Sequence, residues 1–317
     1  MSGISEVRRL ILTPLWRLSP VPIRRLLLVF VLGFLALLAG CSSLTSLYFY
    51  PQTVWIQTPD KLGLQYQDVW LEAADGTSLH AWWLPSQSHA GDAGTTLTEF
   101  DTVVLYLHGN AENISSHIRS VDWLPGEGFA LLALDYRGYG ASAGTPYMPA
   151  VLQDVEAAAA WIRQHYPDKR LLVLGQSIGA ALAVNFVAKG AQRYGVDALV
   201  LDAPFAGFPR IARSALTSSW LGWLLVPATW LIPADWDPQT QAAGIQVPTL
   251  VMHSRDDAVI PRQQGRAVYQ ALAGDKCWLD SKGPHIASFS FAEIRRISQL
   301  FMQSLNCAQV RSALASE

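Results

Sequence analysis

Short apolar runs alternate with longer amphipathic segments through most of the chain. The apolar runs predict buried strands at 103–107, 129–134, 171–174, 196–201 and 247–253, with a shorter one at 276–279. The amphipathic segments predict helices at 149–166, 178–190, 263–273 and 289–305, and one that follows Asn113 and ends near Trp123. Because strands and helices alternate, we expect an α/β fold with a mostly parallel, doubly wound sheet.

An antiparallel hairpin is expected at the start of this sheet. Residues 66–84 form two strand-like segments joined at Asp75-Gly76, a dipeptide typical of tight hairpin turns. Residues 42–59 are rich in aromatic residues and contain two prolines, which favours an irregular lead-in along the domain edge. Residues 85–101 are small and polar, as in a surface loop.

The first 40 residues have a different pattern. Five arginines precede an apolar run at 26–40, which is shorter than the roughly 20 residues of a membrane-spanning helix and is typical of a signal peptide. Leu38-Ala39-Gly40-Cys41 resembles a bacterial lipobox, which implies a lipidated Cys41 and a domain on the extracytoplasmic side of the cell envelope. With Ser42 next, the resemblance implies sorting to the outer membrane. An uncleaved signal anchor remains the alternative.

These patterns divide the chain into four parts. We expect a signal peptide at 1–40, an anchor and lead-in at 41–65, one α/β domain at 66–305 and a tail at 306–317. Half of the 317 residues are hydrophobic, 15% are charged and no basic stripe occurs, so nucleic acid is not an expected partner. Removal of 1–40 makes the net charge more negative than the −2 of the whole chain, so anionic lipid would not hold the domain by charge.

Two cysteines remain if Cys41 is lipidated. Cys277 lies in a predicted strand and Cys307 follows the last predicted helix. In an oxidising compartment they form either a disulfide or two buried thiols, and the sequence leaves both open. No H-E-x-x-H or paired-cysteine motif occurs, so neither a metal nor an organic cofactor is expected.

The first candidate for chemistry is a serine between a predicted strand and a predicted helix. Gly175-Gln176-Ser177-Ile178-Gly179 fits the G-x-S-x-G pattern, in which a tight turn exposes the serine hydroxyl. Such a turn needs small residues two positions before and after the serine. It also places the amide of Ile178 at a helix N-terminus, where it can bind an oxyanion. We therefore predict that Ser177 is a nucleophile, with an ordinary glycine-rich turn as the alternative.

A serine nucleophile needs a base and an acid that orients the base. His285 lies in a glycine-proline turn between the last predicted strand and helix, where it can reach Ser177. Asp257 follows the preceding strand and is the expected acid. Asp256 and Asp202 remain rival candidates, interpreted respectively as a loop-structuring residue and a turn residue.

The other histidines are assigned structural positions. His253 is expected to be packed and hydrogen-bonded, and His108 to shape its loop. Surface or strand positions are expected for His80, His89, His117 and His165. The loop His108-Gly109-Asn110 follows an early strand, so the amide of Asn110 is the expected second oxyanion donor beside that of Ile178, with a plain turn as the alternative.

Several motifs within 50–305 resemble one branch of a known family. LYLHGNAEN, LDYRGYGAS, GQSIGA, HSRDDAVIP and GPH are similar to motifs of α/β-hydrolases of the serine-aminopeptidase-like and monoacylglycerol-lipase-like branch, close to the membrane-anchored α/β-hydrolase-domain proteins. The resemblance implies the α/β-hydrolase fold, the order Ser177, Asp257, His285 and structural roles for Arg137 and Ser142. Ala180 and Ile178 depart from commoner residues, and GPHIASF lacks the polar residue that often follows the histidine.

An insertion at 206–238 separates two predicted strands and is expected to form a short apolar cap over the serine. Its four tryptophans fit either a buried helical pair or an apolar lid that admits acyl chains or touches a bilayer. We expect a serine hydrolase that cleaves a carboxylic ester or thioester, with a lipid or acylated substrate favoured, through an acyl-enzyme. Peptide or amide cleavage, acyl transfer and a non-catalytic envelope scaffold are the alternatives.

Overall fold

The computed structural model describes residues 45–89, 95–217 and 219–316. Within these ranges an eight-stranded sheet forms the centre of the fold. In chain order its strands are β1 (Gln67–Glu72), β2 (Ser78–Leu84), β3 (Thr102–Leu107), β4 (Phe129–Leu134), β5 (Arg170–Gln176), β6 (Val196–Asp202), β7 (Thr249–Ser254) and β8 (Lys276–Ser281).

The spatial order of the strands is β8-β7-β6-β5-β3-β4-β2-β1. Strands β3 to β8 pair in parallel, and the hairpin of β1 and β2 joins antiparallel to β4. A mostly parallel sheet with an antiparallel hairpin at one edge is what the sequence predicts, and the resemblance implies the α/β-hydrolase fold. The carboxyl ends of the parallel strands meet on one side of the sheet, where ligands bind in open sheets of this kind.

Helices cover both faces of the sheet because its central strands are apolar on both sides. In β3, Val103 and Leu105 belong to one core cluster, whereas Val104 and Tyr106 belong to the other. The helices are α1 (Ala150–His165), α2 (Ile178–Tyr194), α3 (Phe208–Leu216), α4 (Arg262–Ala271), α5 (Ala292–Ser304) and α6 (Cys307–Ala315). Buried residues of α1, α2 and α4 line the first cluster, and those of α5 and α6 line the second.

Three segments differ from the sequence predictions. The loop predicted at 85–101 contains two short paired strands, Gln87–His89 and Thr95–Leu97. The helix predicted to end near Trp123 is a single α-helical turn, Ile114–His117, followed by 3-10 turns. The tail predicted at 306–317 is helix α6, whose first turn is capped by the Asn306 side chain and which buries Val310. The domain therefore continues past residue 305.

The lead-in is mostly irregular, as predicted, with two short regular pieces. Thr45–Tyr48 is a 3-10 helix, and Tyr50–Pro51 pairs in parallel with Ala111–Glu112 in the loop after β3. Residues 1–40 and Cys41, with the predicted signal peptide and lipidation site, lie outside the described residues. Among the residues that are described, no helix is both long and apolar enough to cross a bilayer.

The predicted cap at 206–238 consists of α3, a 3-10 stretch at Gly222–Leu231 and the start of a short helix, Pro238–Gln241. Trp236 packs against the core. In contrast, Trp220, Trp223 and Trp230 are exposed, with 78%, 60% and 79% of their surface accessible. The cap is therefore not a fully buried helical pair, because most of its tryptophan surface faces outward.

A disulfide joins Cys277 of β8 to Cys307 of α6, and both cysteines are fully buried. It links the edge strand of the sheet to the last helix across 30 residues of sequence. Closing a loop of this size stabilises a fold mainly by restricting the unfolded chain.

We predict that Cys277→Ser lowers the free energy of unfolding by about 3–4 kcal/mol under oxidising conditions, because the closed loop is lost. Denaturant unfolding with and without reductant measures this change. Cys307→Ser and the double variant are the matched controls and should be destabilised to the same extent, since either single change breaks the bond. Rapid labelling of both thiols in the folded, oxidised chain would contradict the pairing.

Candidate active site

The turn between β5 and α2 holds Ser177 in a strained backbone conformation. Its φ is 56° and its ψ is −115°, a positive-φ conformation that residues other than glycine rarely adopt. A Cβ atom on Gly175 would lie 2.4 Å from the Gly179 carbonyl oxygen, and one on Gly179 would lie 2.0 Å from that of Leu107. Both glycines are thus required by close packing, as the sequence pattern predicts.

The structure brings Ser177, His285 and Asp257 into one hydrogen-bonded row. His285 Nε2 lies 2.9 Å from Ser177 Oγ, and His285 Nδ1 lies 2.7 Å from Asp257 Oδ2. The other carboxylate oxygen of Asp257 accepts the amides of Val259 and Ile260, both at 2.8 Å. With Nδ1 protonated, the imidazole can accept the serine proton at Nε2.

The rival acids occupy other positions. Asp256 accepts the amide of Gly283 at 3.2 Å, so its carboxylate ties its own loop to the loop that carries His285. Asp202 is buried at the end of β6, and its carboxylate bonds the side chains of Gln176 and Ser288. Among the described residues, only Asp257 pairs its carboxylate with His285 Nδ1.

Electrostatics keep Asp257 ionised. Burial acts to raise the pKa of its carboxyl group, but hydrogen bonding with His253 and His285 and the amide of Ile260 outweigh burial and hold the pKa well below its usual range. His253 is fully buried. Its Nε2 donates to the Ile260 carbonyl at 2.9 Å and lies 3.3 Å from Asp257 Oδ2. As predicted, His253 is a packed, hydrogen-bonded residue, and it supports the loop that carries Asp257.

A buried polar network lies beneath the row. Tyr106 donates to Gln176 Oε1 at 2.5 Å, and Gln176 donates to Asp202 at 2.8 Å and to the Ile286 carbonyl at 3.3 Å. Ser288 donates to the other oxygen of Asp202 at 2.6 Å. Burial raises the pKa of the Asp202 carboxyl group, although these hydrogen bonds oppose it. The network joins β3, β5 and β6 to the loop that carries His285.

This network supplies the hydrogen bonds that fix the loop after His285. GPHIASF has no polar side chain directly after His285, but Ser288, three positions on, fixes the loop through Asp202. Gln176 occupies a variable position of the G-x-S-x-G pattern, so the pattern carries no information about its role. Its partners become adjacent only when the strands are aligned.

The loop after β3 packs against the start of α2. A Cβ atom on Gly179 would also lie 2.5 Å from the His108 carbonyl oxygen, so no side chain fits between the loop and the helix. The side chain of Asn110 accepts from the amide of Tyr50 at 3.0 Å and from the Tyr139 hydroxyl at 3.1 Å. The position of Asn110 is therefore fixed by contacts on both sides.

Asn110 and Ile178 line the same cavity as Ser177. The amide of Ile178, the first residue of α2, has no acceptor one turn earlier in the helix and is available to a ligand. These are the two residues predicted to supply oxyanion donors.

Residues at the carboxyl end of β4 support this loop. Asp135 is fully buried, accepts the amide of Ile114 at 2.8 Å and lies 3.4 Å from His108 Nε2. Burial acts to raise the pKa of Asp135, but the neighbouring rings of His108 and His80 lower it overall. The ring of His108 also stacks on Tyr136, with centroids 4.4 Å apart. His108 thus shapes its loop, as predicted.

Arg137 and Ser142 are buried and bonded within the scaffold, in keeping with the structural roles that the resemblance implies. Arg137 pairs with Asp154 and Asp75, at 2.6 and 2.7 Å. Ser142 donates to the Asp135 carbonyl at 2.7 Å and accepts the amide of His80 at 2.8 Å.

Ser177 opens into an apolar cavity of about 300 Å³. Its apolar walls come from the lead-in, the loop after β6, helix α3, the loop that carries Asp257 and the residue after His285. These residues are Tyr48, Phe205, Ile211, Val259, Ile260 and Ile286. A cavity with such walls suits an apolar ligand group near Ser177.

Of the histidines expected at surface or strand positions, His80 lies in strand β2, as predicted, and is buried there, with Nε2 2.8 Å from Asp68. His117 differs from the expectation. His117 lines the cavity, and its Nε2 donates to the Ala111 carbonyl at 2.9 Å. Burial, together with the neighbouring His108, lowers the pKa of His117 to about 4, so the ring is neutral at pH 7. No pattern in the sequence indicates this cavity position.

Comparisons with known proteins give similarities in sequence and in fold. The model of the family described as "Serine aminopeptidase, S33" matches residues 98–236. The Escherichia coli K12 protein YfhR is 31% identical over 270 residues, which cover 84% of this chain and 88% of YfhR. The mouse lysophosphatidylserine lipase ABHD12 is 27% identical over 257 residues, covering 73% of this chain and 63% of ABHD12.

Among solved structures, the Pyrococcus furiosus esterase Pf2001 superposes with a TM-score of 0.65 at 22% identity. The superposition covers 81% of this chain and 98% of the esterase. This likeness shows that the two chains share a fold.

We predict that Gly179→Ala lowers the free energy of unfolding by about 1–3 kcal/mol, because the added methyl group would overlap the Leu107 carbonyl. Denaturant unfolding measures the change. Gly126→Ala is the matched control, since nothing lies within 4 Å of the Cβ that it adds. Equal stability of the two variants would contradict the close packing of the turn.

His117 supplies a pH-dependent prediction. Its pKa is about 4 in the folded chain and about 6.5 in an unfolded chain, so between these values the unfolded state binds more protons and stability rises with pH. We expect His117→Gln to flatten this rise by up to about 1.4 kcal/mol per pH unit between pH 4 and 6.5. Above about pH 7 the protonation of His117 makes no contribution to the slope of stability against pH.

Denaturant unfolding at several pH values from about 4.5 to 7.5 measures the slope for each variant. His165→Gln, at an exposed position in the last turn of α1, is the matched control and should keep the wild-type slope. The prediction is wrong if the His117 and His165 variants have the same slope.

Proposed function

Because this chain belongs to the α/β-hydrolase superfamily, we propose that it is a serine hydrolase of the esterase or lipase type. The proposed reaction is hydrolysis of a carboxylic ester or thioester through an acyl-enzyme. The single observation that carries the proposal is the row Ser177, His285 and Asp257 at the apolar cavity, with both ring nitrogens of His285 within hydrogen-bond distance of a partner.

In the proposed first step, Ser177 Oγ attacks the carbonyl carbon while its proton passes to His285 Nε2. Asp257 accepts the Nδ1 hydrogen bond and stabilises the imidazolium that forms. The amides of Ile178 and Asn110 hold the tetrahedral oxyanion. The bond to the leaving group then breaks, and His285 gives its proton to the leaving alcohol or thiol. Water resolves the acyl-enzyme by the same route in reverse and releases the acid.

The cavity favours esters of apolar acids over amino-terminal peptide substrates. A free α-amino group is cationic and needs a carboxylate partner, yet no aspartate or glutamate is among the described residues that line the cavity. Its volume of about 300 Å³ is at the lower end of ligand pockets, which fits an acyl group of moderate length. The lipase and esterase names of the relatives support a lipid or acylated substrate for this chain.

We also propose that Cys41 is lipidated and that the domain is anchored on the extracytoplasmic side of the cell envelope, with the outer membrane favoured. The support is the sequence alone: an arginine-rich start, the apolar run at 26–40 and Leu38-Ala39-Gly40-Cys41. Mass spectrometry of the mature N-terminus tests this anchor directly.

The proposed nucleophile and acid are tested together on the full chain in detergent. We expect a fluorophosphonate probe to label the wild type and not Ser177→Ala. We expect Asp257→Asn to lower kcat for p-nitrophenyl esters by about 10³–10⁴-fold, because the imidazole loses its orienting partner. Asp256→Asn is the matched control, since the Asp256 carboxylate bonds the neighbouring loop, and it should retain most of the activity.

Esters of graded chain length then measure the acyl group that fits the cavity. Added acceptor alcohols distinguish transfer, which yields new esters, from hydrolysis. A folded wild type that takes no label would overturn the proposed function and favour the scaffold alternative.

A further inference from the structure

The outer surface of the cap carries a group of exposed apolar side chains, here called the cap apolar face. All of its members have more than half of their surface accessible. They are Trp220, Leu221, Trp223, Leu224, Leu225, Trp230 and Leu231. Soluble proteins rarely expose so many large apolar side chains in one place unless the surface binds something.

The inner side of the 3-10 stretch Gly222–Leu231 is fixed to helix α3. Gly222 is buried, and a Cβ atom on it would lie 2.0 Å from the Leu216 carbonyl oxygen. Thr229 is also buried, donates to the Val226 carbonyl at 2.7 Å and lies 3.4 Å from Arg213 Nη2. Because these contacts hold one side inward, the tryptophans and leucines face outward in the folded chain.

The composition of this segment fits a lipid surface. No charged residue occurs from 214 to 234, between Arg213 and Asp235. Tryptophan is the residue that best suits the boundary between lipid and water, because its ring is apolar and its N–H needs a polar partner. A bilayer interface offers both environments, and it requires no complementary pocket.

The lead-in connects this surface to the proposed anchor. Tyr48 donates to the carbonyl of Phe208, the first residue of α3, at 2.9 Å, and their rings are 5.0 Å apart. Only three residues lie between Cys41 and Thr45, so the Cα atoms of Cys41 and Thr45 are at most about 14 Å apart when the chain is extended. A chain that is held to a membrane at Cys41 therefore has its cap within reach of the same membrane.

We propose that the cap apolar face docks on the lipid bilayer, at the interface between headgroups and acyl chains. Ile211 of α3 and Tyr48 of the lead-in also line the cavity at Ser177. Docking would therefore bring the cavity next to the lipid, so that an acyl substrate passes into it from the bilayer. This consequence for substrate supply rests on the proposed function, whereas docking itself does not.

Docking is tested by quenching of tryptophan emission in the full chain, reconstituted in vesicles of brominated or unbrominated phosphatidylcholine. We expect brominated lipid to quench part of the wild-type emission. The triple variant Trp220→Phe, Trp223→Phe and Trp230→Phe should lose most of that quenched part while keeping an apolar surface. Trp70→Phe is the matched control and should leave the quenched part unchanged. Trp70 is 59% exposed on β1, but it lies between the outward residues Asp68 and Glu72.

A quenched fraction that is the same in the triple variant and the wild type would overturn the proposal. Absence of quenching in the wild type would also overturn it. Cross-linking at positions 220, 223 and 230 would then show whether the cap pairs with a second copy of the chain.

Substrate supply is tested with a second triple variant, in which Trp220, Trp223 and Trp230 are changed to Ser. We expect turnover of a long-chain ester in phosphatidylcholine vesicles to fall about 10-fold, which corresponds to ~1.4 kcal/mol. Turnover of soluble p-nitrophenyl acetate should be unchanged, because the catalytic residues are untouched. Equal loss on both substrates would overturn the supply role. A wild type that hydrolyses neither ester contradicts the proposed function and leaves the quenching result to decide docking.

Discussion

The close approach between the turn at Ser177 and the end of β3 is the constraint on which the site depends. Gly179 lies against the carbonyl oxygens of Leu107 and His108, so α2 begins in direct contact with the neighbouring loop. This contact holds the strained backbone of Ser177 and brings the Asn110 loop beside the Ile178 amide. Strain of this kind persists only where the surroundings fix it, and here the parallel sheet does so.

The sheet alone does not place His285. His285 lies on a loop after the edge strand β8, and its position is fixed from below by Asp202 and Gln176, through Ser288 and the Ile286 carbonyl. Asp257 is fixed separately, by two backbone amides and His253. Each of the three residues is thus held by contacts beyond the row itself: Ser177 through the end of β3, Asp257 through its own loop and His253, and His285 through the ends of β5 and β6. This arrangement positions the imidazole before any substrate is present.

Local patterns were sufficient to predict most of the fold and the row of site residues. Strands β3 to β7 are apolar runs buried on both faces. Ser177, Asp257 and His285 each follow a strand in the expected order, so periodicity and position indicate them. The buried roles of Gln176 and His117 could not be predicted, because their partners lie 26 or more residues away or depend on the exact path of a loop. Helix α6 is not predicted, because its stability comes from the packing of Val310 and Cys307, contacts that a segment of nine residues does not reveal.

The distance in sequence between Ser177 and His285 has a consequence for folding. Ser177 and His285 are 108 residues apart, and β8, the strand that leads to His285, pairs only with β7 at one edge of the described sheet. Contacts between distant parts of a chain form late, because the loop between them must close first. In a growing or partly folded chain, Ser177 and His285 therefore cannot meet until the final third has joined the sheet. In the proposed reaction, activity thus reports that folding is complete.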